Sequence, residues 1–382
     1  MSSSGGLAEA AARLVASVPP GLPPDTTPPA GLALALRAPG VVQSAVAGIR
    51  GVSDDGAEAA ALTLDTHHDL ASVTKIVATT TALIRLVSEG IVRLDDAAQR
   101  YLPGLGEGEK ASITVRQLLY HRAGLWEWHP LYLAANDASA ASNYIERLPL
   151  RYRPDTGRHY SDLGYMLLGR IVAQVAGQSF EDAVSTLVTG PLGMASTQFA
   201  HPVGREVATS SFGDQCEMTM VDTGIPYPVP FRGADFGSWR LEPVSGDVCD
   251  GNAFHVFDGV SGHAGLFSTL TDLITFADAL AHYSEHEELW TPQVAEEFFA
   301  AGPDAAQALG FRRYRLDLGS ESVDMLGHPG FVGCAVGFVP GRGIGLALAS
   351  NRLLTRGTPV PTECLWQQAI AAASTAITEQ AA

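Results

Sequence analysis

Two periods of apolar residues divide this chain. Near its start, Leu32–Arg37 and Val41–Ile49 are apolar runs joined by Ala38-Pro39-Gly40, the pattern of a β-hairpin. Near its other end, Phe331–Pro340 and Ile344–Ser350 flank Gly341-Arg342-Gly343 in the same way, and Tyr314–Leu318 adds a strand. Glu363–Ile377 reads as a closing helix. Between these ends the period becomes helical. In Lys75–Glu89 the residues Ile76, Leu83, Ile84 and Val87 share one stripe, and Gly90 follows where a helix C-terminus favours glycine. Thr79, Thr80 and Thr81 are weak helix formers, so burial has to hold this helix. Val115–Tyr120, Leu163–Val175 ahead of Gly177, Phe180–Leu187 and Thr271–His282 read as further helices.

The elements predict an α/β (α+β) protein: an antiparallel sheet from both chain termini flanked by helices, with a mostly helical lobe inserted. Residues 1–30, a short helix near Leu7–Val18 and then a Pro-rich linker, read as a flexible N-terminal segment. Residues 31–382 read as one domain, with the α/β lobe at about 31–95 and 295–382 and the helical lobe at about 96–294. Residues 201–250 are rich in Gly, Pro and aromatics with little periodicity, which suits a lid or binding loop.

Composition narrows the partners. The 382 residues carry 24 Lys plus Arg against 41 Asp plus Glu, a net charge of −17, which repels nucleic acid and anionic membranes. A hydrophobic content of 46% is that of a packed globular protein. No run reaches the roughly 18 uninterrupted apolar residues of a membrane span. The N-terminus has no basic stretch before an apolar one, and Pro19, Pro20, Pro23 and Pro24 interrupt it; with no secretory signal, the expected location is the cytoplasm. Four scattered cysteines without C-x-x-C read as reduced thiols. Nothing specifies an oligomeric state.

The sharpest chemical signal is Ser72-Val73-Thr74-Lys75 at the start of the buried helix. Three residues apart, Ser72 and Lys75 lie close to one face. A serine at a helix N-terminus feels a field that favours a negative oxygen, and a lysine one turn on can take its proton if its surroundings lower its pKa. Alone, the pattern equally describes a helix cap and a surface lysine. Other constellations point to scaffold. His282 and His286 lie beside Glu285, Glu287 and Glu288, an acidic helix end rather than a metal site. His67-His68-Asp69 lacks a G-x-S-x-G elbow and reads as a strand end and turn. Gly104-x-Gly106-x-Gly108 follows Pro103 and reads as a surface loop. No metal and no cofactor is expected.

Four more motifs follow in order: His121-Arg122-Ala123-Gly124-Leu125; Tyr160-Ser161-Asp162; Ser261-Gly262-His263-Ala264-Gly265-Leu266-Phe267-Ser268; and His328-Pro329-Gly330. With the S-x-x-K they make the chain resemble, from about Leu32 onward, the serine β-lactamases and penicillin-binding proteins. It is nearest to the class C β-lactamase-like branch, which includes D-alanyl-D-alanine peptidases and esterases. The resemblance implies a β-lactamase/transpeptidase-like fold with the site between the lobes. It implies Ser72 as acylated nucleophile, Lys75 as its partner and Tyr160 sharing the base role. It also implies the backbone N–H groups of Ser72 and Phe331 as oxyanion hole, with Asp162, His328 and Gly330 around the substrate. Trp126 and Trp128, just after His121-Arg122-Ala123-Gly124-Leu125, are placed to flank the serine or equally to serve as core aromatics. His263 and the nearby Asp247, Asp250 and Asn252 would be structural.

Three positions depart from the family pattern. Asp162 stands where Asn is usual; a carboxylate only accepts hydrogen bonds and would keep Lys75 charged, moving the base role toward Tyr160. His328 replaces Lys. Pro329 replaces a Thr or Ser whose hydroxyl holds a substrate carboxylate, and proline offers neither hydroxyl nor N–H. The class A pattern E-x-x-L-N is absent. These departures favour a serine hydrolase acting through a Ser-Lys-Tyr acyl-enzyme on small neutral esters or amides, with Tyr227, Phe231, Phe236 and Trp239 forming either an apolar pocket or a satellite core. The alternatives are a β-lactamase or D-alanyl-D-alanine carboxypeptidase, the latter requiring export, and a non-catalytic binding protein on a degenerate hydrolase scaffold.

Overall fold

A computed structural model describes residues 5–52, 59–199, 201–202, 205–355 and 357–381. Its main sheet has seven antiparallel strands: β1 (Gly31–Ala38), β2 (Val41–Val52), β3 (Ala59–Ala61), β6 (Arg312–Asp317), β7 (Ser322–Pro329), β8 (Ala335–Val339) and β9 (Ile344–Ser350). They lie in the order β6-β7-β8-β9-β1-β2-β3. The two chain ends meet where β9 pairs with β1, Leu348 opposite Leu34. A smaller sheet pairs β4 (His68–Asp69) with β5 (Leu266–Ser268), and β5 with Gln198–Phe199.

Alternation along β1 explains why the sheet is covered on both faces. Leu32, Leu34 and Leu36 enter one apolar core with residues of α1 (Gly5–Ala16) and α5 (Thr362–Ala381), while Ala33 and Ala35 enter the larger core shared with the helical lobe. Trp366 of α5 is fully buried, and a Cβ on Gly337 would come within 2.8 Å of its ring, so glycine there makes room for the indole. The segment expected to be flexible departs from that reading: α1 buries Leu7, Ala10, Ala11 and Leu14 against the sheet and α5. Its apolar stripe is what fixes it.

Two further differences bear on the site. The expected strand from Phe331 begins at Ala335, because Gly330 and Gly333 turn the chain first; β7, whose residues mix polar and apolar, lies just before that turn. The helix after Ser72 is compound: a tight turn Ala71–Val73, a wide π-helical turn Lys75–Thr80, then α2 (Thr81–Ser88). The threonines are buried and satisfied. Thr79 donates to the Gly262 carbonyl at 2.6 Å and Thr81 to that of Ile76 at 2.7 Å. Ala71–Ser88 is apolar and long enough to cross a membrane by composition, and 78% of it is buried inside the fold, the position of a core helix. Leu163–Val175 lies within α3 (Asp162–Ala176), capped by Ser161 and stopped at Gly177 with φ 65°. Thr271–His282 corresponds to α4 (Leu270–Ala281). His282 and His286 fall beyond the end of α4, and among the described residues no three metal-ligating side chains cluster.

Candidate active site

The nucleophile turn is built under constraint. Ala71, immediately before Ser72, has φ 43°, a conformation uncommon for a residue with a Cβ. The Asp69 carboxylate accepts its N–H at 2.7 Å. Ser72 is half-buried and starts a helix, so its own N–H is among the donors a helix leaves unpaired.

Lys75 lies beneath, fully buried. Its ammonium donates to Ser72 Oγ at 2.9 Å and to the His263 carbonyl at 3.0 Å, and meets Asp162 Oδ1 at 2.7 Å. Burial alone pulls its pKa down, but the Asp162 charge and the Tyr160 phenol outweigh this and hold it above the ordinary lysine value. The lysine is therefore a charged group. Its Nζ lies 5.1 Å from the centre of the Tyr160 ring.

Tyr160 stands between two histidines. His121 approaches at 4.6 Å between ring centres, and His328 of β7 stacks at 5.7 Å. Burial first, and the Lys75 and Arg312 cations after it, push both imidazoles well below their usual pKa, so both are neutral near pH 7. His121 Nδ1 accepts the Ser161 N–H at 3.0 Å, which places its proton on Nε2. Gly330 closes the other wall: a Cβ there would come within 2.3 Å of the Leu70 carbonyl. Its backbone is pinned by the Cys334 carbonyl at 2.6 Å and by the Thr362 hydroxyl at 3.0 Å, and Phe331 follows, 48% exposed. Ser72, Lys75, Tyr160, Asp162, His328 and Gly330 thus come from distant stretches to one place.

A family model with the description Beta-lactamase matches residues 29–363. The chain belongs to the Beta-lactamase family. It is 30% identical over 77% of its length to an N-acetylmuramyl-L-alanine amidase of Bacillus subtilis, covering 69% of that protein. It is 31% identical over 65% of its length to a putative D-alanyl-D-alanine carboxypeptidase of Escherichia coli, spanning 59% of that protein. In structure it is similar to EstCE1, a hydrolase with promiscuous acyltransferase activity, with a TM-score of 0.64 at 19% identity over 92% of this chain and 94% of that one. Membership of the Beta-lactamase family, with amidase and carboxypeptidase relatives in sequence, makes the chain one of a hydrolase family.

Trp126, expected either to flank the serine or to serve as a core aromatic, is tied to the site through its backbone. Its carbonyl accepts the Ser161 hydroxyl at 2.7 Å. Its ring instead joins Tyr227 at 5.2 Å and His129 at 5.8 Å. Phe236 and Trp239 pack on Tyr132, at 5.0 and 5.3 Å between ring centres, as a satellite core. Asp250 caps the helix Gly251–Phe257 and bonds His263 at 3.0 Å, which fixes the loop below Lys75, while Asn252 bridges Leu131 and His129 and fixes that segment instead. Sequence reasoning missed a cationic rim. Arg312, the first residue of β6, lies 5.7 Å from the Tyr160 ring, and its charge opposes the protonation of both Arg158 and His328. Arg312 meets Glu363 at 3.5 Å, whereas among the described residues Arg158 makes no ion pair and no side-chain hydrogen bond. The Nε of each is buried without a hydrogen-bond partner. The only hint in the sequence was that Arg158 lies two residues before Tyr160.

Proposed function

We propose that this protein is a serine hydrolase that cleaves small esters or amides through a Ser72 acyl-enzyme. The observation that carries this is the contact set of Lys75, whose ammonium touches Ser72 Oγ and Asp162 at once beneath the Tyr160 ring. In this reading Tyr160 takes the Ser72 proton as the oxygen attacks the acyl carbon, with the Lys75 charge stabilising the phenolate that forms. The N–H groups of Ser72 and Phe331 receive the carbonyl oxygen as it becomes negative. Tyr160 then returns the proton to the leaving group, and the same pair activates water against the acyl-enzyme. The neutral imidazole of His328 and the proline after it favour an uncharged substrate beside β7.

A second reading has its own support. Arg158 and Arg312 suit a substrate whose leaving group carries a carboxylate, as in a D-alanyl-D-alanine carboxypeptidase. The test is turnover of p-nitrophenyl esters, acetate to octanoate, by wild type and Ser72→Ala, with a chromogenic cephalosporin and a D-alanyl-D-alanine peptide alongside. Ester turnover lost by about three orders of magnitude in Ser72→Ala supports the proposal. Turnover of only the peptide or the cephalosporin transfers it to the second reading. Absence of any turnover, together with no acyl adduct by intact mass, overturns both.

A further inference from the structure

Beneath the nucleophile turn lies a buried carboxylate that acyl transfer does not use. Asp69, at the end of β4, is 2% exposed. Its Oδ1 accepts the Ala71 N–H at 2.7 Å, and its Oδ2 accepts the Cys249 N–H at 2.7 Å. Its backbone carbonyl accepts the Cys334 thiol at 3.4 Å, and the Cys334 carbonyl in turn accepts the Gly330 N–H at 2.6 Å. Three segments therefore meet at one residue. The first is the turn carrying Ser72. The second is the chain entering Asp250, which holds His263 and through its carbonyl Lys75. The third is the loop presenting Phe331. Ala71 is held at a positive φ, so its amide needs a fixed acceptor to stay where it is. Only a carboxylate accepts with both oxygens; an amide would turn N–H₂ toward one of the two N–H donors.

We infer that Asp69 is a positioning residue of this site, acting through Ala71 and Cys249 to fix Ser72 against Lys75 and the Gly330–Cys334 loop. Its kinetic consequence rests on the acyl-enzyme reading; its ordering of the two amides does not. The groups facing the carboxylate are those two amides, the charges of Asp250 and Arg240, and the thiols of Cys249 and Cys334. Burial raises the Asp69 carboxyl to about 6 despite the two N–H bonds. Protonation removes an acceptor, so the turn loosens as pH falls through that value.

The test compares the full-length wild type with Asp69→Asn. Three quantities are followed: p-nitrophenyl acetate turnover, Ser72 labelling by a fluorophosphonate, and amide exchange at Ala71 and Cys249 referenced to β8 and β9. The expected result is a folded variant with kcat lowered about 10- to 100-fold and KM within about threefold. Exchange at Ala71 and Cys249 should be at least about tenfold faster, with β8 and β9 unchanged. The wild-type rate should also fall below about pH 6, a limb the variant lacks. A kcat within about twofold of wild type, or unchanged exchange at the two amides, overturns the inference. If Asp69→Asn does not fold, wild type alone decides: protection at Ala71 and Cys249 must fall through about pH 6 while β8 and β9 keep theirs, and constant protection overturns it. If wild type neither turns over ester nor labels at Ser72, the acyl-enzyme reading fails, and exchange at the two amides still supports or overturns the role of Asp69.

Discussion

Either side of Tyr160 the protein treats positive charge differently. Toward Ser72, the Lys75 ammonium is closed in by a carboxylate at 2.7 Å, a hydroxyl at 2.9 Å and a carbonyl at 3.0 Å. Toward β6, Arg312 meets one carboxylate at 3.5 Å, Arg158 pairs with none among the described residues, and the imidazoles of His121 and His328 are kept uncharged. The closed cation has no capacity left for a ligand and is fitted to steer a proton. Of the open pair only Arg312 has a carboxylate partner, and the two cations repel each other, a cost that an anion would relieve. On the proposed reading, one cation of this cleft serves chemistry and two serve recognition.

Lys75→Met breaks the closed side. It should lower ester turnover about 10²- to 10⁴-fold, the range of a lost proton-transfer partner. It should also destabilise the fold by about 3–5 kcal/mol, because Asp162 is left without its cation; calorimetry and turnover read the two losses. Arg158→Ala with Arg312→Ala breaks the open side. The double variant should raise KM about tenfold for substrates bearing a carboxylate beside the scissile bond and leave neutral esters within about twofold. Unchanged KM for both assigns the rim to structure alone. Asp162→Asn opens the closed side without emptying it. Lys75 loses the carboxylate that raises its pKa, so the basic limb of the rate profile should move to lower pH while kcat/KM changes less than about tenfold.

The smallest effect is on stability and comes from the histidines. His67, His121 and His328 are lowered by burial, and His68 and His129 are lowered to about 4. In the unfolded chain each takes a proton near 6.5, so the unfolded state binds more protons as pH falls. Burial raises Asp69 to about 6 and Glu217 to about 8, and these take up protons in the fold first, offsetting part of the loss. The melting temperature should therefore drop from pH 7 to pH 5, and a flat profile would show that the imidazoles open to water.

The closed side was the more legible in the sequence. Ser72 and Lys75 are neighbours along a helix, and Tyr160 and Asp162 flank the Ser161 cap, so short-range spacing carries most of that geometry. The hairpin β1–β2 and helices α3 and α4 were visible for the same reason: their periods are local. The open side was not legible, because Arg312 reaches Tyr160 only through the pairing of β6 with β7, and β7 itself has no clean alternation. Asp69 read as a turn residue because its two acceptor bonds join positions 180 residues apart and two residues apart, and only the first is informative. Helix α1 was visible as a helix, but the prolines after it made its segment read as flexible where its own apolar stripe docks it on the core.

The pairing of β1 with β9 sets an order on synthesis. The Gly31 N–H is satisfied by the Asn351 side chain, 320 residues away, at 2.7 Å. Until that late segment emerges from the ribosome, the leucines of β1 have no partner strand on one edge and no α5 above them. The nascent chain must hold an apolar hairpin in waiting while the entire helical lobe is made, which is slow, long-range closure of the kind that invites mispairing. Refolding from denaturant should therefore be limited by the joining of the two ends rather than by the formation of the lobe that carries Tyr160.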